Sequence, residues 1–405
     1  MMVPVPSITP EHWDHRADLS EQAIMDRHAS AVWAVPRTNL GVIAWPPTGR
    51  DKLFVRWHYW WQAHYLDCQV DAAERRCTGA RITTINRTIR GMRVRNMGKF
   101  SRNNYYDDKA WLALALWRVE QLGGCSTKAR HQLKVKDRRK ELEENILAGV
   151  DSLTGVLPWR GQETFYNVPT NGPAAIMAAR TGRLNLAAQL TDWVFDNLIN
   201  EYGLVMDGLR MRMHGRENVT ALYSYCQGVM LGACTELAVA QRAAEGVADQ
   251  DLSDVGMRYI TRTIGLVSAV HEEMANRLGV IDWTSSGGDG GLFNGILVRY
   301  LALVAEKLPE VGAAALQAKR LAKKMVLATA ESAWRHRLEV DGLPVFPSNW
   351  AADAVLPQAG GLVGATIAGA VASSDIAERD LSVQLSGWML MEAAARVSGV
   401  DLTAK

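Results

Sequence analysis

Three short segments of the sequence resemble one another: Gly155–Trp159 (GVLPW), Gly203–Asp207 (GLVMD) and Gly279–Trp283 (GVIDW). In each, a glycine is followed by two or three apolar residues and then by Trp or Asp. Each segment follows a long stretch with helical periodicity, and the spacing between segments is roughly 50–75 residues. A repeated loop after a repeated helix predicts a chain that is built from helix pairs.

The apolar pattern predicts helices along the whole chain, and no long alternating run indicates a sheet. The predicted helices are 14–32, 53–76, 80–97, 107–123, 131–150, 171–182, 184–200, 219–242, 253–273, 289–307, 311–336 and 380–397. Six helix pairs predict an all-α protein with a single (α/α)6 barrel over residues 1–405 and a core over about 14–397. An open α-solenoid is the alternative, but it would show a more regular period.

One stretch, Ala354–Ser374, carries no charged residue and is therefore a candidate transmembrane segment. It contains proline, glutamine, several glycines and paired serines, so it is too polar to cross a bilayer. We interpret the region near 358–372 as a further helix that is buried and tightly packed.

The composition is that of a soluble globular protein, with 48% hydrophobic and 22% charged residues among 405. A net charge of +2 gives no global electrostatic reason to bind nucleic acid. Tryptophan is frequent, with 14 residues against 10 Tyr and 6 Phe. Because a buried indole N–H needs a partner, this excess suggests a ligand with flat faces and polar edges, such as a sugar.

The cysteines are odd in number and form no CxxC pair: Cys68, Cys77, Cys125, Cys226 and Cys234. We therefore expect neither paired disulfides nor a zinc site. The histidines form no HExxH motif, and we expect no metal and no cofactor. The N-terminus lacks the features of a signal peptide, which predicts the cytoplasm unless the sequence is the mature part of a longer precursor.

Two adjacent carboxylates, Asp107 and Asp108, stand between aromatic residues just before an apolar helix. We expect the first to have non-helical dihedral angles, which would let the two side chains converge. Converging carboxylates repel each other and raise the pKa of one, whereas the helix N-terminus stabilises the ionised form of the other. Retaining glycoside hydrolysis requires such a pair, with the carboxyl groups roughly 5–5.5 Å apart.

The same residues have other interpretations. An Asp N-cap followed by an Asp that favours the helix dipole is common, and on spacing alone it is the simpler interpretation. Binding of a diphosphate through Mg²⁺ would need a carboxylate at position 111, which is Trp. The preceding basic run, Arg87–Arg102, is typical of a solvated helix face and could also hold an anionic part of a substrate.

The segment Tyr105–Trp111 (YYDDKAW) resembles the YYDD-x-A-W segment of glycoside hydrolase family 76, the endo-α-1,6-mannanases. Four more segments agree with that family in order along the chain: Trp60–His64 (WWQAH), Pro169–Ala175 (PTNGPAA), Tyr223–Val229 (YSYCQGV) and Gly288–Ile296 (GDGGLFNGI) with Arg299 and Tyr300. Together these matches outweigh the helix-cap interpretation of the acidic pair. The sequence departs from the family at Cys226, where Asn is frequent, and at Asn294, where Lys is usual.

The resemblance implies an (α/α)6 barrel that cleaves α-1,6-linked mannan or mannooligosaccharides with retention, without a cofactor. It implies that Asp107 is the nucleophile and Asp108 the general acid/base. Eight further residues are expected to bind substrate: Trp60, Tyr106, Trp111, Trp159, Asn171, Tyr225, Gln227 and Asp289. Two other functions stay open, namely another (α/α)6 enzyme such as a sugar epimerase and a barrel that binds glycans without turnover.

Overall fold

The computed structural model describes residues 9–122, 135–283, 286–358, 366–367, 370–371 and 375–402. In these ranges twelve α-helices have 13 or more residues: α1 (Pro10–Arg27), α2 (Tyr59–Arg75), α3 (Gly79–Arg95), α4 (Tyr106–Gln121), α5 (Val135–Leu147), α6 (Val168–Arg180), α7 (Leu184–Asn197), α8 (Ser224–Glu245), α9 (Asp254–Met274), α10 (Phe293–Lys307), α11 (Gly312–Arg335) and α12 (Leu381–Ser398). Each coincides with one predicted helix, with differences of several residues at some ends.

The helices form two concentric layers. The even-numbered helices α2 to α12 form a closed inner ring, in which each packs on the next and α12 packs on α2. Inner helices are buried on all sides, as in α10, where every residue from Asn294 to Ala305 is buried. Outer helices bury one stripe, as in α9 with Tyr259, Ile260, Thr263, Leu266, Val267 and Val270. The prediction of an all-α (α/α)6 barrel is confirmed.

Short antiparallel strands lie between the helices: β1 (Ala29–Ser30), β2 (Leu40–Gly41), β3 (Phe165–Asn167), β4 (Met206–Arg212), β5 (Gly215–Leu222), β6 (Leu338–Val340), β7 (Leu343–Val345), β8 (Thr366–Ile367) and β9 (Ala370–Val371). Strands β3, β4 and β5 form one three-stranded sheet. The sequence pattern missed its hairpin, although apolar and basic residues alternate over 209–213. The helix predicted from 219 therefore begins only at Ser224.

The repeated loops of the sequence correspond to a repeated structure. Gly155, Gly203 and Gly279 follow α5, α7 and α9, and their φ angles are 73°, 75° and 80°. A positive φ angle favours glycine over residues with a Cβ atom, which explains why the three loops share a glycine. The predicted repeat of helix pairs is confirmed at these positions.

A side-chain amide at the fourth residue of an inner helix holds the preceding loop. Gln227 of α8 accepts a hydrogen bond from the Val205 N–H and donates to the Val205 carbonyl, both at 2.8 Å. Asn171 of α6 accepts from the N–H of Leu157 and donates to its carbonyl, both at 2.9 Å. The corresponding pairs in α2 and α12 are Gln62 with Gly41 and Gln384 with Phe346. We call these four arrangements the amide clamps.

Buried ion pairs join three inner helices inside the barrel. The Arg118 guanidinium of α4 lies 2.6 Å from carboxylate oxygens of both Asp67 and Asp71 of α2. Arg299 of α10 pairs with the same two aspartates. Since a buried charge without a partner is strongly destabilising, this cluster fixes α2, α4 and α10 relative to one another.

The prediction of a helix near 358–372 is wrong for the residues of that region that the structure describes. Strands β8 and β9 form an antiparallel pair there, with Thr366 opposite Val371. Thr366, Ile367 and Val371 are β-branched and favour extended backbone, which accounts for the difference. The rest of the expected helix lies outside the described residues.

The expectation that no disulfide forms is wrong at one cysteine. Cys77 is disulfide-bonded, whereas Cys68, Cys226 and Cys234 are free and buried. An odd number of cysteines therefore does not exclude a disulfide.

A helix needs about 20 predominantly apolar residues to span a bilayer. Within the ranges given above, no helix is long and apolar enough to cross a membrane.

Close helix packing in the inner ring predicts a stability difference between two glycines. A Cβ at Gly228 of α8 would lie 2.8 Å from the Leu297 Cα of α10, whereas a Cβ at Gly265 of α9 would have no neighbour within 4 Å. We predict that Gly228→Ala lowers the free energy of unfolding by about 1–3 kcal/mol, because backbone cannot move aside cheaply. Gly265→Ala should raise it by about 0.5–1 kcal/mol. Urea denaturation measures both, and a Gly228→Ala variant as stable as the wild type would contradict the packing.

Candidate active site

Side chains from the starts of three inner helices meet at one end of the barrel. The ring centroid of Trp60 in α2 lies 6.4 Å from those of Tyr225 in α8 and Phe293 in α10. Tyr225 and Phe293 stack on each other at 4.1 Å with an interplanar angle of 12°. These rings form an aromatic cluster, and two of its three members, Trp60 and Tyr225, are predicted site residues.

The acidic pair lies at the start of α4. The helix begins at Tyr106 with Tyr105 as N-cap, so Asp107 is helical and the expectation of non-helical dihedral angles for it is wrong. The reason is that the Tyr106 N–H donates to the Trp159 carbonyl at 3.0 Å, which lets the helix start one residue earlier. Successive helical residues point about 100° apart, and the two carboxyl groups accordingly have different partners.

Each aspartate has its own hydrogen-bond donor. The Trp159 indole N–H donates to Asp107 Oδ2 at 3.0 Å, and the Asp108 backbone N–H donates to Asp107 Oδ1 at 2.9 Å. The Asn103 side-chain amide donates to Asp108 Oδ2. Trp159, which the sequence predicts to bind substrate, thereby contacts Asp107.

The electrostatic environment gives the two carboxyl groups different pKa values. Burial raises the pKa of Asp107 to about 7, although the hydrogen bond from Trp159 acts in the opposite direction. Burial and the negative charge of Asp107 raise the pKa of Asp108 well above its usual value. Asp107 is therefore the first of the pair to ionise, and Asp108 keeps its proton. A carboxylate beside a carboxylic acid can act as nucleophile and proton donor.

Asp289 accepts hydrogen bonds from two indoles. The N–H groups of Trp60 and Trp61 donate to Asp289 Oδ1 at 2.9 and 2.8 Å. The charge of Asp289 also contributes to the raised pKa of Asp107 and of Asp108. Tryptophan in this site therefore serves to hold carboxylates as well as to offer aromatic faces.

The turn that carries Asp289, Gly288–Leu292, is fixed to α12. Gly288 N–H donates to the Asp380 carboxylate at 2.6 Å, and the Ser382 hydroxyl donates to the Gly288 carbonyl at 2.6 Å. The φ of Gly288 is 69°, a value that few residues with a side chain adopt. This explains why a glycine precedes the aspartate in the sequence.

Four of the predicted substrate-binding residues make packing or loop contacts in the structure. Asn171 and Gln227 are fully buried, and their amides are used in the amide clamps. Trp111 is also buried, with its ring 4.6 Å from that of His64. The Tyr106 ring packs against Gly149 beyond α5, where an added Cβ would lie 2.3 Å away. The structure gives these four side chains packing and loop-holding roles.

Asp207 is a site residue that the sequence patterns did not indicate. It lies on β4, and burial raises its pKa to about 7, while nearby Arg210 lowers it and the charge of Asp107 raises it. A fourth carboxyl group, besides those of Asp107, Asp108 and Asp289, thus lies close enough to Asp107 to be affected by its charge. The alternating pattern of β4 was the available signal, because it predicts a strand that could carry a residue to this end of the barrel.

The hydrogen bond from Trp159 predicts a measurable pKa change at Asp107. We expect Trp159→Phe to raise the pKa of Asp107 by about 1–2 units, because a hydrogen bond to a charged group is worth about 1.5–3 kcal/mol. The sign follows from the bond, which stabilises the ionised form. Carbon-13 NMR titration of the aspartate carboxyls measures it. Trp193→Phe is the control, because Trp193 packs on Tyr166 and its replacement should leave the pKa of Asp107 unchanged. An unchanged pKa of Asp107 in Trp159→Phe would contradict the hydrogen bond.

Comparison with known proteins places this site in a family. Residues 17–372 match the family described as "Glycosyl hydrolase family 76". No curated protein matches the chain significantly. A solved α-1,6-mannanase from a Salegentibacter species is 26% identical, covers 95% of this chain and 99% of its own, and superposes with a TM-score of 0.72. That structure is an inactive variant, with two adjacent aspartates replaced by asparagine, in complex with α-1,6-mannotriose.

Two more distant structures share the fold. A Listeria innocua protein is 22% identical, with 95% of this chain and 97% of its own covered and a TM-score of 0.71. A family 76 hydrolase from Bacteroides thetaiotaomicron is 12% identical, with 95% and 77% covered and a TM-score of 0.67. The family match spans most of the chain and includes both aspartates of the pair. This chain therefore belongs to glycosyl hydrolase family 76.

Proposed function

We propose that this protein is an endo-α-1,6-mannanase that cleaves mannan backbones with retention of configuration. Its family membership supports glycosidase activity. The observation that carries the finer proposal is the pair Asp107 and Asp108, which lie half-buried at the start of α4 with different hydrogen-bond donors and unequal proton affinities. The complex of the Salegentibacter mannanase with α-1,6-mannotriose supports the substrate, and its inactivation by replacement of two adjacent aspartates supports the choice of this pair.

In the first step Asp107 acts as nucleophile. Its ionised Oδ attacks the anomeric carbon and forms a mannosyl ester, while the bond to the leaving oxygen breaks. Asp108 gives its proton to that oxygen, so the departing chain leaves as a neutral alcohol. The Trp159 N–H keeps Asp107 oriented through the hydrogen bond described above.

In the second step Asp108 acts as a general base instead of a general acid. Asp108, now ionised, takes a proton from a water molecule, and the water oxygen attacks the anomeric carbon. The ester bond to Asp107 breaks, and the carboxylate is regenerated. Two inversions at one carbon give net retention, so the released sugar is the α-anomer.

The surroundings of the pair fit a neutral sugar. The aromatic cluster offers apolar faces on which the C–H groups of a pyranose can pack. Asp207 and Asp289 supply carboxylate oxygens that can accept hydrogen bonds from sugar hydroxyls. The near-neutral net charge of the whole chain, +2, is compatible with an uncharged polysaccharide.

We further propose that the protein acts outside the cytoplasm. Cys77 is disulfide-bonded, and disulfides persist in oxidising compartments. This replaces the sequence-based expectation of a cytoplasmic protein. An extracytoplasmic site of action also agrees with a polysaccharide substrate.

Replacement of either aspartate should abolish most of the activity. We predict that Asp108→Asn lowers kcat/KM on linear α-1,6-mannooligosaccharides by about 10²–10⁴-fold, because the proton donor is lost. Asp107→Asn should lower it at least as much, since no ester can form. Asp254→Asn is the matched control, because Asp254 also lies in the first turn of a helix, but it is exposed and belongs to the outer helix α9.

Wild-type activity in Asp107→Asn would contradict its role as nucleophile. The stereochemistry gives an independent check, because proton NMR of the first product should show the α-anomer. A β-anomer would indicate inversion, and a different chemistry such as epimerisation would leave the oligosaccharide uncleaved. Binding of the oligosaccharide without turnover by the wild type would contradict an enzymatic function altogether.

The raised carboxyl pKa values predict the pH profile. The nucleophile must be ionised, and burial holds the pKa of Asp107 at about 7, so kcat/KM should fall as the pH is lowered through about 7. At higher pH it should fall again as Asp108 ionises, because burial and the charge of Asp107 raise the pKa of that acid. A nucleophile with an ordinary carboxyl pKa would place the acidic limb near pH 4. A measured limb near that value would contradict the electrostatics of the pair.

A further inference from the structure

A surface of exposed basic and apolar side chains lies on α3, on the segment that follows α3 and on the segments before α2. We call it the basic–apolar surface. Its apolar members are Trp33, Leu53, Val55 and Met97, which are 46%, 56%, 65% and 71% exposed. Its basic members are all exposed and consist of Arg37, Arg50, Lys52, Arg56, Arg87, Arg90, Arg93, Lys99 and Arg102. The proposed reaction uses none of these residues.

Arg95 joins the separate segments into one surface. Its guanidinium lies 5.6 Å from the Trp33 ring centroid and 5.1 Å from that of Trp57. Its Nε donates to the Phe54 carbonyl at 2.9 Å. The Trp33 indole donates to the Leu53 carbonyl at 2.8 Å. The two loops are thus bound to the end of α3, next to Met97.

The backbone that carries these apolar side chains is strained. Trp33, Phe54 and Met97 have φ angles of 49°, 51° and 52°, a left-handed conformation that is rare for bulky residues. Phe54 is buried and lies between the exposed Leu53 and Val55. Such strain costs about 1–3 kcal/mol per residue and is concentrated at functional sites. Three strained residues in one small surface indicate that this surface has a function.

The basic members have no acidic partners. None of the nine takes part in a salt bridge within the described part of the chain. Some exposed arginines elsewhere are paired, as Arg212 is with Glu217 and Arg258 with Asp192. The sequence between Arg75 and Tyr106 also contains no Asp or Glu. Positive charge is therefore concentrated on one face of a protein whose net charge is only +2.

The basic–apolar surface lies at the same end of the barrel as the acidic pair. Met97 is six residues before Asn103, whose amide donates to Asp108. The ring of Trp57 lies 5.4 Å from that of Tyr59, and the Tyr59 hydroxyl donates to the Phe100 carbonyl at 3.0 Å. A partner on this surface would therefore sit beside the opening of the site.

We propose that the basic–apolar surface docks the protein on a membrane that contains anionic lipids. The basic side chains would contact the lipid headgroups, and Trp33, Leu53, Val55 and Met97 would enter the interface below them. An anionic polymer would explain the unpaired charges but not four exposed apolar side chains, whereas a lipid surface uses both. The docked protein would present its acidic pair to glycans attached to that membrane, an arrangement that rests on the function proposed above.

Vesicle sedimentation tests the docking independently of the reaction, so the two proposals can fail separately. The wild type should sediment with phosphatidylcholine vesicles that contain about 30% phosphatidylglycerol and not with pure phosphatidylcholine. The binding should weaken as salt is raised from about 0.1 to 0.5 M, because salt screens the charges. Absence of binding to the anionic vesicles at about 0.1 M salt would overturn the proposal.

Two variants separate charge from apolar contact. Arg90→Glu, Arg93→Glu and Lys99→Glu together should weaken vesicle binding by about a hundredfold or more, since each basic residue near an anionic surface is worth about a factor of five. Val55→Ser with Met97→Ser should weaken it by about tenfold or more. Neither variant touches the acidic pair, so cleavage of short soluble oligosaccharides should be unchanged.

The matched control changes the same charge elsewhere on the surface. Arg183→Glu, Arg277→Glu and Lys324→Glu replace three exposed basic residues outside the basic–apolar surface and should leave binding within about twofold of wild type. An equal loss in this control would show that only net charge matters and would overturn the proposal. Retention of a soluble polyanion such as heparin, without vesicle binding, would indicate a polymer site and would overturn it as well. Circular dichroism melts confirm that each variant is folded.

Discussion

The hydrogen bonds that join Asn171 to both backbone groups of Leu157 fix the loop that carries Trp159, the hydrogen-bond donor to Asp107. Leu157 is two residues before Trp159, and Trp159 holds both the start of α4, through its carbonyl, and Asp107, through its indole. An amide suits this position because it can accept one bond and donate two without carrying a charge into the core. The same arrangement recurs at three other inner helices, so one device positions loops around the barrel.

The barrel makes the chemistry of the pair possible by partly shielding it from water. Burial raises both carboxyl pKa values, and the hydrogen bonds then favour ionisation of Asp107 over Asp108. Asp289 adds negative charge, and two indoles keep it in place. Deeper in the barrel, the buried carboxylates of Asp67 and Asp71 are instead neutralised by Arg118 and Arg299. The site thus differs from the rest of the core in keeping carboxyl groups available for reaction.

Sequence patterns located the helices and the acidic pair more reliably than they assigned individual side chains. Inner and outer helices are both apolar enough to be recognised, and the loop glycines marked the repeat. Asn171 and Gln227 fell in family-like segments and were therefore expected to bind substrate, but a motif does not show which way an amide points. Asp207 was missed because its strand is short and its neighbour in space, Asp107, is distant in sequence.

The helical periodicity, the repeated glycine loops and the two adjacent aspartates at a helix start can all be read from the amino-acid sequence. These are local properties, since the periodicity and the sign of φ depend on residues within a few positions of one another. The proton affinities of the aspartates, the roles of the amides and the grouping of Trp33 with Met97 depend instead on how the chain folds. Burial, charge and hydrogen-bond partners come from elements far apart in the chain, and closure of the inner ring brings them together.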